Sequence, residues 1–180
     1  MTKYAKIMAT FGVLAGLGVA SLPLATFAVN NSETTVKVTV QEGISFSNSG
    51  TTADAGSKTP GETGSATSNL TAATNNAAGL KITVKDKDND TSLRDASITG
   101  STAGVDFIPT GTSGAGTWSL KGGDLVAETA MVKDSETALV VKNTTGPSSE
   151  SVPMSYRIVP GAAQRQGTYE DVIVYTVTKN

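Results

Sequence analysis

From Thr34 the chain alternates. Val36, Val38, Val40, Ile44 and Phe46 fall on one face, and Thr35, Lys37 and Thr39 on the other. A period of two predicts a half-buried strand, bent or broken near Gly43. The stretch that follows, NSGTTADAGSKTPGETGSATSN at 48–69, is rich in Ser, Thr and Gly and nearly devoid of large apolar side chains. It predicts a flexible loop, because it has too little surface to bury to order itself. Alternation resumes with Leu80, Ile82 and Val84 after an Asn-Asn-Ala-Ala-Gly turn, and NLTAAT and LKITV together predict a hairpin. Short apolar pieces then recur at Val105–Ile108, Thr117–Leu120, Leu125–Val132, Thr137–Lys142 and Val152–Val159. Turn signals such as Gly122-Gly123-Asp124 and Asn143 to Pro147 separate them. Only Leu125–Val132 also admits a helix. The last segment, YEDVIVYTV, puts Tyr169, Ile173, Tyr175 and Val177 on one face and Val172 and Val174 on the other. A strand apolar on both faces predicts a place inside a sheet. Many short β-branched strands with turn signals between them predict an all-β fold, an antiparallel β-sandwich of Ig-like build.

The beginning of the chain follows another pattern. Lys3 and Lys6 give a positive start, Ile7 to Leu22 carries no charge, and ATFA at 25–28 places Thr26 and Ala28 at the small positions of a peptidase site. This predicts a secretory signal peptide helix over 1–28 with cleavage after Ala28, leaving 29–180 as one β-sandwich domain. Ile7 to Ala28 is also long enough to span a bilayer, so retention as an anchor is the alternative. Gly12, Gly16, Gly18 and Pro23 make that a poor permanent span.

Composition narrows the function. The chain of 180 residues has neither Cys nor His. That removes disulfides, cysteine nucleophiles, His-dependent triads and nearly all zinc or copper sites. Its net charge of −2 would become more negative once Lys3 and Lys6 were cut away, which disfavours nucleic acid and anionic lipid. A membrane partner is expected only through an uncleaved signal segment. Neither the S-x-x-K nor the G-x-S-x-G signature is present. A carboxylate pair for glycoside hydrolysis is spatial and escapes this reading. The acids sit mostly in polar turns, so no enzyme activity and no cofactor are expected. Asp86, Asp88 and Asp90 alternate like the start of a calcium loop and are a candidate metal site. Thr91 and Ser97, however, stand where an EF-hand needs Gly and an acid, so a solvated strand-end turn is the competing account.

Trp118-Ser119-Leu120 is a W-x-L triplet around the single Trp. Tyr169, Ile173, Tyr175 and Val177 keep the spacing of a Y-x-x-x-L-[TV]-W-x-L pattern, with Ile, Tyr and Val replacing Leu, Trp and Leu. Together they resemble the WxL domains of Gram-positive bacterial surface proteins, and more loosely small secreted proteins of Gram-positive and candidate-phylum bacteria. The resemblance implies a WxL-like, exported β-rich domain at the cell surface, held non-covalently on the cell wall through peptidoglycan. It makes Trp118, Leu120, Tyr169, Ile173, Tyr175 and Val177 candidate wall contacts. As a large aromatic, Trp118 reads first as a core residue and only second as a contact, and Tyr169 reads as a corner whose hydroxyl bonds nearby backbone. The expected function is therefore non-catalytic surface display or adhesion, with a wall polymer as partner. The alternative is a fibre or matrix subunit, in which other surface proteins or further copies of the chain are partners and Thr34 to Val40 is donated to a neighbour's sheet edge.

Overall fold

The computed structural model describes residues 34–180, so the signal segment and its cleavage at Ala28 lie outside the described residues. The chain divides into two units, Met1–Thr39 and Val40–Asn180. In the first, residues 34–39 form no strand and are exposed. The second is all-β, and its sheets are antiparallel.

Ten strands follow in order: β1 (Ile44–Asn48), β2 (Gly64–Thr74), β3 (Leu80–Asp86), β4 (Leu93–Arg94), β5 (Phe107–Ile108), β6 (Thr117–Gly122), β7 (Leu125–Thr129), β8 (Leu139–Asn143), β9 (Ser148–Val159) and β10 (Ile173–Lys179). Five of them form one sheet in the order β1-β2-β9-β6-β7, three form a second in the order β10-β3-β8, and β4 pairs with β5. Leu70, Ala72, Trp118, Leu120, Val152, Met154 and Tyr156 from the larger sheet meet Leu80, Ile82, Val84 and Val141 from the smaller in one hydrophobic cluster. Burying these alternate rows is the main force that holds the strands in place.

Several expectations from the sequence are corrected. The strand expected from Thr34 begins only at Ile44. Ile44 pairs with Thr74, the last residue of β2, so 34–43 have no neighbouring strand to bond, and Val36, Val38 and Val40 lie open to solvent. The loop expected over 48–69 gives up its last six residues to β2. That strand is legible only once its partners are known, because its buried row is Ala66, Ser68, Leu70, Ala72 and Thr74. Eleven register pairs with β9 and five with β1 place β2 inside the sheet. β2 and β3 do not form a hairpin. The Asn75–Gly79 turn instead carries the chain from one sheet to the other, with Gly79 at φ +89° against the Thr144 carbonyl. Leu125–Val132 contributes the strand β7 and no helix, and Val105–Ile108 contributes only the two residues of β5. β10, expected inside a sheet, is an edge strand: it pairs with β3 alone and leaves Val172 and Val174 exposed.

Opposite ends of the smaller sheet are finished differently. At β8, the β6–β7 turn docks alongside: the Asp124 N–H donates to the Val141 carbonyl (2.7 Å) and the Asn143 N–H to Asp124 Oδ2 (3.0 Å). At β10 the ladder stops.

Candidate functional site

Trp118 lies on β6 opposite Ile158, and Leu120 opposite Tyr156. Trp118 is 3% exposed and Leu120 0%. The indole Nε1–H donates to the Thr91 carbonyl at 2.9 Å, which answers the one polar atom of a buried ring. Neither residue reaches an outer surface, so as wall contacts both are corrected to core residues. Tyr169 is half-buried, and its hydroxyl donates to the Arg165 carbonyl at 2.9 Å, four residues upstream. Ile173, Tyr175 and Val177 are also half-buried, on the face of β10 that packs against the core. The Tyr175 and Tyr156 hydroxyls lie 2.8 Å apart, and that of Tyr156 is 2.9 Å from Ser68 Oγ. This chain of hydroxyls joins the two sheets and explains how β2 buries a serine. The W-x-L triplet and the C-terminal pattern thus belong to one interior rather than to one outward patch.

The calcium candidate is also taken apart by its local geometry. Asp86 Oδ1 accepts the Asp88 N–H (2.7 Å), Asp88 Oδ1 accepts that of Asp90 (2.7 Å), and Asp90 Oδ1 accepts that of Ser92 (3.2 Å). Each carboxylate turns toward the backbone two residues on, as Asp does in tight turns. Asp90 is further engaged by Arg94, whose guanidinium stacks on the Phe107 ring. Burial raises the Asp90 pKa, but the bonds from Arg94 and Ser92 outweigh it and leave the carboxyl below its usual value. Among the described residues, no group of three or more acidic side chains is arranged to hold a metal ion.

The group that sequence reasoning missed is Asp171. Antiparallel register sets Ile173 opposite Asp86, and the Lys87 N–H donates to the Val172 carbonyl at 3.0 Å, which brings the Asp171 carboxyl to that of Asp86. Both Oδ2 atoms are buried without a donor. Two facing carboxylates cannot both ionise cheaply, so the pair holds a proton. Burial, partly opposed by the Val172 amide and then reinforced by the charges of Asp86 and Asp88, pushes the Asp171 carboxyl up to about 7. Burial likewise raises Asp86. The only sequence signal was an acid just before a strand whose partner ends in an acid.

Because the folded pKa is raised, the associated stability is complete below the ordinary carboxylate range and is lost as pH rises through about 7. Asp171→Asn is therefore expected to raise the melting temperature at pH 8 by roughly 2–4 °C, the equivalent of about 1 kcal/mol, and to leave it unchanged at pH 4. Thermal melts of both proteins across that range check this. A constant offset at every pH would mean that Asp171 acts through something other than its proton.

The outward face of the five-stranded sheet is polar. Register places Ser47, Thr71 and Ser151 in one row, Ser45, Ala73 and Ser149 in another, and Thr67, Ser155 and Lys121 in a third. Asn69 Nδ2 donates to Ser151 Oγ (3.0 Å) across the first of these. Towards β7, Ser119 Oγ donates to Glu128 Oε2 (2.6 Å), and Lys121 pairs with the same carboxylate at 3.0 Å. Burial raises the Glu128 pKa, and these partners more than reverse it, so the carboxylate is held below its usual value.

A scan against family models and a search of curated proteins find no match.

Proposed function

We propose that this chain is an exported, non-catalytic bacterial surface protein, a WxL-like β-sandwich that associates non-covalently with a cell-wall polymer such as peptidoglycan. The observation that carries the contact is the outward face of β1, β2, β9 and β6. Its rows of Ser, Thr and Asn hydroxyls and amides give a field of donors and acceptors spread over several strands, which suits an extended glycan better than a small molecule. Trp118 and Leu120 support this reading from beneath by fixing the strands that present the face. Pelleting with purified Gram-positive cell walls tests it. The chain from Val29 is expected to sediment with the walls saturably, and Ser45→Glu with Thr67→Glu, exposed positions in separate rows, to reduce the bound fraction while the fold is retained by circular dichroism. Equal binding by that folded double variant would remove the hydroxyl face from the proposal.

A second reading, a subunit of a surface fibre or matrix, is favoured by one observation. Val36, Val38 and Val40 alternate as a strand would and are 92%, 84% and 77% exposed. Such a row is costly to leave in water and is suited to joining a sheet edge.

A further inference from the structure

The strand-exchange reading leaves open which edge receives the donated segment. We infer that residues 34–40 of one copy add to the free edge of β10 on a second copy. This rests on the fibre reading and goes beyond it by assigning the acceptor.

Four edges are available in the two larger sheets: β1, β7, β8 and β10. That of β8 is occupied by the docked β6–β7 turn. β7 is short and irregular in its pairing with β6, and Val126 is its one strongly exposed apolar side chain. β10 is regular over all seven residues, and every one of them pairs with β3. Among the described residues no backbone bond reaches it from its other side. Its core-facing side chains Ile173, Tyr175 and Val177 are only half-buried, unlike Leu80, Ile82 and Val84 on the neighbouring strand, which are at 0%.

Next to β10, β1 leaves Ile44 44% exposed and Phe46 half-buried, and the Glu42–Lys179 ion pair (3.1 Å) lies where the two strands come together. A strand added beside β10 with Val36, Val38 and Val40 facing inward would continue the apolar row of Ile173, Tyr175 and Val177. Thr35, Lys37 and Thr39 would then face solvent. Segment 34–40 matches β10 in length, seven residues against seven.

The test compares three chains, 29–180, 41–180, and 29–180 carrying Val36→Lys and Val38→Lys. Because Val40–Asn180 is a compact unit with its own core, 41–180 is a usable acceptor. Sedimentation over a range of concentrations is expected to show association of 29–180 and monomers of the other two. In hydrogen exchange, a synthetic peptide of residues 34–40 added to 41–180 is expected to slow the amides of Ile173–Lys179 by about tenfold or more. Association with protection at β7 instead would overturn the β10 assignment and leave strand exchange standing. Monomers of 29–180 with no effect of the peptide would overturn both. A monomeric 29–180 whose β10 is protected relative to 41–180 would show the segment folding back on its own chain, and the second-copy acceptor would fall.

Discussion

Trp118→Ala is expected to destabilise the protein by about 3–5 kcal/mol, as loss of a fully packed aromatic side chain does. The indole is enclosed on β6 between the two sheets, so its removal leaves a cavity that strands on both sides cannot close without breaking register. It also leaves the Thr91 carbonyl without its donor. Trp118→Phe keeps much of the volume but loses that bond, and should fall between Ala and the parent. Urea unfolding followed by circular dichroism is the measurement, since the substitution removes the chain's only Trp fluorophore. A change within about 0.5 kcal/mol, as surface substitutions give, would place the ring outside the core. Wall binding measured with Trp118→Ala alone could not separate a lost contact from a lost fold, which is why the outward hydroxyl rows are the better place to probe binding.

Gly123→Ala is expected to cost about 2–4 kcal/mol, from a left-handed backbone and a steric overlap acting together. Gly123 has φ +57°, and a Cβ there would stand 2.2 Å from the Val141 carbonyl oxygen and 2.9 Å from Val152 Cγ1. Neither obstacle can swing aside: one is backbone in β8, the other a β-branched side chain in β9. The turn would have to lift, breaking the Asp124 to Val141 bond that closes the β8 edge. Amides of Leu139–Asn143 should then exchange faster in Gly123→Ala, alongside a lower urea midpoint. Gly146→Ala, where a Cβ meets nothing within 4 Å, is the matched control and should be close to neutral. Retention of normal exchange in β8 by a destabilised Gly123→Ala would show that the turn bends without undocking.

How much of this was legible in the sequence depends on side-chain size and on pairing. β3, β6, β8, β9 and β10 could be read because large apolar residues alternate within each or cluster there. β2 could not, because a strand inside a sheet ordinarily shows bulk, and here its buried positions are filled mainly by Ala, Ser and Thr. Two features make them suffice: close packing against β9 and β1, and the Tyr156 hydroxyl that satisfies Ser68. The converse holds over 34–43, where the pattern of a strand is present but β2 ends at Thr74 and offers no partner. Periodicity reports which face would be buried; it does not report whether a neighbour exists. The same holds for β10, whose two apolar faces suggested an interior position although it lies at an edge. For the site, the W-x-L triplet was found by spacing, but its burial was not. Asp171 was invisible because its meeting with Asp86 depends on the register of strands far apart in the chain.

The hydroxyl chain Ser68–Tyr156–Tyr175 also provides an optical gauge. Burial, followed by the neighbouring Tyr156 hydroxyl, lifts the Tyr175 phenol well above its usual range. In an alkaline titration that ring is expected to take on the phenolate spectrum at higher pH than a free tyrosine for as long as the sheets stay joined. Phenolate absorbance then reports separation of the sheets without any attached dye, and a late, cooperative step in it would time the moment β10 leaves the core.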